Sequence, residues 1–201
     1  MKSAVSVEHL KHSLKKICTA LNGRCEYFPF FGSLLGLVRD NGPIVGDDDV
    51  DIYVNKKDFT IIKSIIKDFG FEIDFGLRPN QTEHLLQVKG IVNGKYHTID
   101  FYFYDDESDP YFIQERWNFP GIPTDIKNVL RIPKPLIFPL KQIDYENIPI
   151  SIPHSPEILC EFLYGVNWRT PQKKGMDYKI VMLGGRPIRL IQTGTKTNFL
   201  S

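Results

Sequence analysis

The stretch from Gly32 to Val54 reads GSLLGLVRDNGPIVGDDDVDIYV, and its last residues decide the fold. Asp49-Val50-Asp51-Ile52-Tyr53-Val54 alternates with period two. As a strand it sets Asp49, Asp51 and Tyr53 on one face and Val50, Ile52 and Val54 on the other. The apolar face is expected to seat the strand in a core and the acidic face to stay wet. Carboxylates two residues apart start from Cα atoms roughly 6.6 Å apart on the same side, so both can reach one hard divalent cation. Magnesium takes such oxygen ligands and leaves room for substrate phosphates.

Upstream, Gly32-Ser33 forms a turn before a short apolar run, Leu34 to Val38, whose helical form would open with free backbone N–H groups. Such a helix start holds anions. Arg39 follows, its planar fork suited to a phosphate but equally able to cap the helix's last carbonyls. Asp40-Asn41-Gly42-Pro43 then turns the chain toward the acidic strand. These are the parts of a phosphotransferase. An isolated run of aspartates would read as a solvated loop, but the flanking alternation and the Gly-Ser turn weigh against that. A calcium loop matches at Asp47, Asp49, Asp51 and Asp58 and fails at Ile52, where the sharp turn requires glycine, and at the missing ligand glutamate.

A Gly-Ser turn followed by hydrophobic-Asp-hydrophobic-Asp-hydrophobic resembles the signature of the nucleotidyltransferase superfamily, the polymerase-beta type of fold. The longer pattern is Gly32-Ser33-Leu34-Leu35-Gly36, Arg39, Gly42, Ile44 and Asp47-Asp48-Asp49-Val50-Asp51-Ile52. It is similar to the LicD and fukutin-related branch, which usually has Pro-Trp where this chain has Val45-Gly46. A second stretch, PLKQIDYENIPISIPHSPEILCEFLYGVNWRTP, resembles the branch's other signature through Tyr164, Gly165, Trp168 and Pro171. The resemblance implies an α/β (α+β) chain with a central mixed sheet, flanking helices and a proline-rich insertion. It implies transfer of a phosphorylated alcohol from a CDP-linked donor to a glycan hydroxyl with release of CMP. The superfamily's commoner chemistry, attack on the α-phosphorus of a nucleoside triphosphate with release of pyrophosphate, is the first alternative. A catalytically inactive relative that binds a nucleotide or a protein is the second.

Under this reading Asp49 and Asp51 are metal ligands for Mg2+ or Mn2+ and catalytic residues. Gly32, Ser33 and Arg39 bind donor phosphate, and Trp168 either lines the donor site or closes a core edge. Asp100 is the candidate third carboxylate. In Lys95 to Tyr104 it shares a face with Tyr96, Thr98, Tyr102 and Tyr104, and a lone acid among aromatic residues needs water, a partner or a metal. His97 points to the other face, toward a structural role.

The length of 201 residues suits one domain over 1–201, with 175–201 a possible C-terminal extension. A net charge of +1 without a long basic run disfavours a nucleic-acid partner. Cys18, Cys25 and Cys160 fit neither a disulfide framework nor a zinc pattern. With no signal peptide and no transmembrane stretch, a soluble, cytoplasmic protein is expected.

The remaining elements follow from periodicity and punctuation. Val7, Leu10, Leu14, Ile17 and Leu21 predict an amphipathic helix ending at Asn22-Gly23, and Glu26 to Phe31 a first strand. Asn55 is a plausible cap for a helix ending at Gly70. Asn93-Gly94 predicts a hairpin between two strands, Leu85 to Val92 and Lys95 to Tyr104. Nine of the fourteen prolines lie between Pro110 and Pro156, so that span is expected to be irregular and to carry acceptor recognition. Within it, Phe138 to Ile152 predicts a hairpin turning at Glu146-Asn147. Ser155-Pro156-Glu157 opens a helix to Tyr164, and Ile188 to Ile191 is a candidate edge strand.

Overall fold

A computed structural model of the chain describes residues 6–75, 85–92, 94–116, 129–171, 180–183, 186–193 and 196–200. The first helix, α1 (Val7–Leu21), starts where the Ser6 hydroxyl accepts from the His9 N–H and ends before Gly23 at φ +72°. Strand β1 (Tyr27–Pro29) leads into α2 (Phe31–Arg39), then β2 (Val50–Asn55) and α3 (Phe59–Asp68). Asn55 caps a single 3-10 turn that precedes α3 by accepting from the Lys57 N–H.

Strands β3 (Glu72–Phe75), β4 (Leu85–Val92) and β5 (Lys95–Tyr104) complete a five-stranded sheet ordered β1-β2-β5-β4-β3. The β2/β5 pair is parallel and the other pairs are antiparallel, so the sheet is mixed. Pro29 is tolerated because β1 is an edge strand. The β4/β5 hairpin turns through Gly94 at φ +74°, while Asn93 lies outside the described residues.

Period-two alternation divides the buried side chains into two cores. Val50, Ile52 and Val54 of β2 and Ile99, Phe101 and Phe103 of β5 pack with α1 and α3 on one face. Tyr53, Tyr102 and Tyr104 lie on the other face, with Leu34 and Leu35 of α2 and Leu159 and Leu163 of α5 (Pro156–Tyr164). Helices therefore flank the sheet on both sides.

The proline-rich span is not wholly irregular. It holds β6 (Phe112–Arg116) paired with β7 (Val129–Pro133), the short α4 (Lys134–Ile137), and a hairpin of β8 (Lys141–Tyr145) and β9 (Ile148–Ile152). Among the described residues, prolines fall at strand ends, at helix starts and beside the hairpin turn, where their missing N–H is tolerated. Glu146 and Asn147 both have positive φ, as a type I′ turn requires. Residues 117–128, with Trp117 and Phe119, lie outside the described residues. At the C-terminal end, β10 (Ile180–Leu183), β11 (Arg186–Thr193) and β12 (Lys196–Leu200) form a separate sheet. Ile188 to Ile191 thus sit in its middle strand, not at an edge. Among the described residues no helix is long and apolar enough to cross a membrane.

Candidate active site

The start of α2 and the start of β2 are bound to each other. The Phe30 N–H donates to the Asp51 carbonyl at 3.0 Å, and the Asp51 N–H donates to the Ser33 hydroxyl at 2.9 Å. Gly32 and Ser33 are the first turn of α2 rather than a turn before it. The Gly32 backbone favours the charged form of the Asp51 carboxyl, in keeping with the use of a helix start for anions. A Cβ at Gly32 would lie 2.5 Å from Asp47 Oδ2, so any larger residue there would displace the Asp47 side chain. Phe31, at φ +41°, adopts a left-handed conformation unusual for a bulky side chain. Edge-on ring contacts with Phe30 and Tyr102, at centroid distances of 4.8 and 5.1 Å, hold it there.

Asp49, Asp51 and Asp100 converge, each offering a carboxylate oxygen within 4.8 Å of the others. The parallel register places Asp100 of β5 directly opposite Asp51 of β2, and Asp49 lies one residue before β2 begins. Asp47, Asp48 and Asp49 form a second such group that shares Asp49. The acidic face is not wet: Asp51 is 7 % and Asp100 3 % exposed, covered by the first turn of α2 and by neighbouring strands. Burial pushes the Asp51 carboxyl well above the usual range, and the charges of Asp49, Asp100 and Asp47 push it further, against the lowering effect of the Gly32 N–H. A cluster of mutually repelling oxygens, two of its three acids buried, has the donor chemistry of a hard divalent-cation site.

Two residues without an assigned role in the sequence reading join this cluster. Gln87 of β4 pairs with Asp100 and donates from Nε2 to Oδ2 at 2.6 Å. Tyr102 of β5 shares the face of Asp100, and burial followed by the charges of Asp51, Asp100 and Asp49 keeps its hydroxyl protonated and able to donate. The sequence did contain the signal for Gln87. A two-residue hairpin turn at 93–94 sets Val92 against Lys95, and counting back along both strands sets Gln87 against Asp100.

Arg39 and Trp168 make contacts of their own. Arg39 ends α2, six residues and about 9 Å of helix rise beyond Ser33. Its Nε and Nη2 donate to the two carboxylate oxygens of Asp40 at 2.8 and 2.7 Å. Trp168 is 3 % exposed and packs in the core with Leu159, Leu163 and Ile137, its ring covered by the Arg169 guanidinium. His97 lies on the opposite face of β5 from Asp100, its Nδ1 2.7 Å from the Ser13 hydroxyl. Val45 and Gly46 form a tight turn in which the Asp47 N–H donates to the Ile44 carbonyl and Gly46 takes φ +88°. That conformation favours glycine, and the turn aims Asp47 back at Gly32.

Residues 24–155 match the family described as LicD/FKTN/FKRP, nucleotidyltransferase domain. No curated protein matches the chain significantly. Among solved structures, the lincomycin-bound lincosamide antibiotic adenylyltransferase LnuA is similar with a TM-score of 0.50 at 13% identity, covering 78% of this chain and 85% of that one. A Thermotoga maritima protein described as a nucleotidyltransferase gives 0.44 at 16% identity, covering 75% of this chain and 81% of its own. At this level of identity the likeness to LnuA concerns the fold.

Proposed function

Since this chain belongs to the LicD/FKTN/FKRP family of nucleotidyltransferase domains and is a transferase enzyme, we propose that it moves a phosphorylated alcohol from a CDP-linked donor to a glycan hydroxyl, releasing CMP. One observation carries the proposal: the meeting of Asp49, Asp51 and Asp100 beside the first turn of α2. These three residues fit Mg2+ or Mn2+ and would hold it. When bound, such an ion neutralises phosphate charge in the transition state.

The chain's own groups supply position and electrostatics. Gly32 and Ser33 offer backbone N–H groups at a helix start, and the Ser33 hydroxyl, already accepting from Asp51, keeps a proton to donate to phosphate. Arg39 would reach a phosphate only by leaving Asp40. The acceptor oxygen attacks the phosphorus that bears the transferred alcohol, in line with the bond to the bridging oxygen. That bond breaks, CMP departs with the bridging oxygen, and the acceptor's proton passes to the carboxylate cluster, with Asp100 its assigned base. The span between Pro110 and Pro156 is assigned to acceptor recognition.

The test is incubation with a panel of CDP-linked alcohols and nucleoside triphosphates in the presence of a divalent cation, scored for CMP against pyrophosphate. CMP from one CDP-alcohol is expected. Pyrophosphate instead would replace the proposal with nucleotidyl transfer, and neither product would mark an inactive binding protein.

A further inference from the structure

We propose that Gln87 and Tyr102 are positioning residues, holding the two buried carboxylates Asp100 and Asp51 in the orientation that binds a divalent cation. The inference rests on the metal site of the proposed function and adds the residues that shape it.

Sheet register delivers both donors. Because Asp51 lies opposite Asp100 and Tyr53 opposite Tyr102, Tyr102 stands on the diagonal from Asp51, within reach of a long side chain. Its hydroxyl is assigned to the Asp51 carboxylate across that diagonal. On the other side of β5, Gln87 faces Asp100 directly and fixes Oδ2. Asp100 thus has one oxygen engaged from the neighbouring strand, and Asp51 has a phenol on its diagonal; donors so placed restrict rotation of the two acids and leave other lone pairs for a ligand. Packing fixes the donors in turn: the Tyr102 ring stacks on Tyr53 at 5.5 Å and meets the Phe31 ring edge-on.

The donor type carries the argument further. Gln87 and Tyr102 are neutral hydrogen-bond donors, so they orient a carboxylate without cancelling its charge. A lysine or arginine in either place would neutralise the acid and compete with a cation. Donors that orient metal-binding side chains typically affect metal affinity by 10- to 100-fold when removed.

Binding of Mn2+ alone, without nucleotide, tests this in wild type, Gln87→Met and Tyr102→Phe, together with the unfolding midpoint of each in chelator. Each variant is expected to bind Mn2+ at least about ten-fold more weakly, while the midpoint in chelator moves little. Wild-type Mn2+ affinity in the variants, with or without a lowered midpoint, would overturn the positioning role and leave the metal site standing. Absence of Mn2+ binding by wild type would instead overturn the metal site itself. Tyr102→Phe deletes a single oxygen, so it decides the matter should Gln87→Met not fold.

Discussion

Replacing Asp51 with asparagine is expected to stabilise the cation-free protein while disabling it. Asp51 is buried, and its carboxylate lies within 4.8 Å of oxygens of Asp49 and Asp100. Two unit charges at that distance repel by about 3 to 4 kcal/mol at an effective dielectric of ~20. The cluster relieves part of this by binding protons, so the net gain for Asp51→Asn in chelator at pH 8 is set at about 1 to 3 kcal/mol. Asparagine has the same shape and leaves in place the hydrogen bonds that the Asp51 backbone makes with Ser33 and Phe30. The sign follows from the direction of the shift. The folded-state pKa of Asp51 is raised, so its contribution to stability is fully present below the unfolded value of about 3.9 and is lost as pH rises through the folded value. The gap between variant and wild type should therefore be small near pH 4 and widen toward pH 8. Urea unfolding in chelator across this range measures it, and saturating Mn2+ should reverse the order by stabilising only wild type. A variant no more stable than wild type at pH 8, with a gap flat in pH, would refute the reasoning.

Three further outcomes are expected. Trp168→Ala should lose roughly 3 to 5 kcal/mol of stability without changing nucleotide affinity measured below the unfolding transition, because the ring is buried with Leu159 and Leu163; weakened affinity in a stable variant would return Trp168 to the donor site. Arg39→Lys exchanges the fork on Asp40 for a single ammonium; calorimetry should show unchanged nucleotide affinity if Arg39 stays on Asp40, and weakened affinity with an unchanged midpoint if it leaves Asp40 for phosphate. Gly36→Ala directs a Cβ at the Gly42 carbonyl, which is backbone and cannot yield, so a loss of about 1 to 3 kcal/mol is expected, read from the unfolding midpoint.

Local signals made much of the fold legible. Alternation in Val50 to Val54 and in Lys95 to Tyr104 assigned side chains to the correct faces, and Ser155-Pro156-Glu157 marked the start of α5. The carboxylate cluster was legible in outline because Asp49 and Asp51 are neighbours in sequence and Asp100 is the lone acid on its face. What remained hidden depends on contacts between distant segments. The burial of Asp51 follows from α2 folding back over β2, and the helical placing of Gly32 and Ser33 from the Ser33–Asp51 hydrogen bond. The β6/β7 pairing brings together strands separated by residues 117–128, and proline content obscured it. Arg39 was ambiguous because an arginine after a short helix suits either a phosphate or a neighbouring aspartate, and only geometry distinguishes them.

The central claim is that Asp49, Asp51 and Asp100 together carry the transfer chemistry. It is tested most directly by the rate of CMP release from the preferred CDP-alcohol, compared between wild type and Asp49→Asn at saturating divalent cation. Asp49 is the least buried of the three and lies outside the strand hydrogen bonding of β2, so its substitution should leave the fold intact. The account predicts a fall of at least ~100-fold, matching several kcal/mol of lost transition-state stabilisation. Turnover near the wild-type rate would contradict it and place the chemistry elsewhere on the chain.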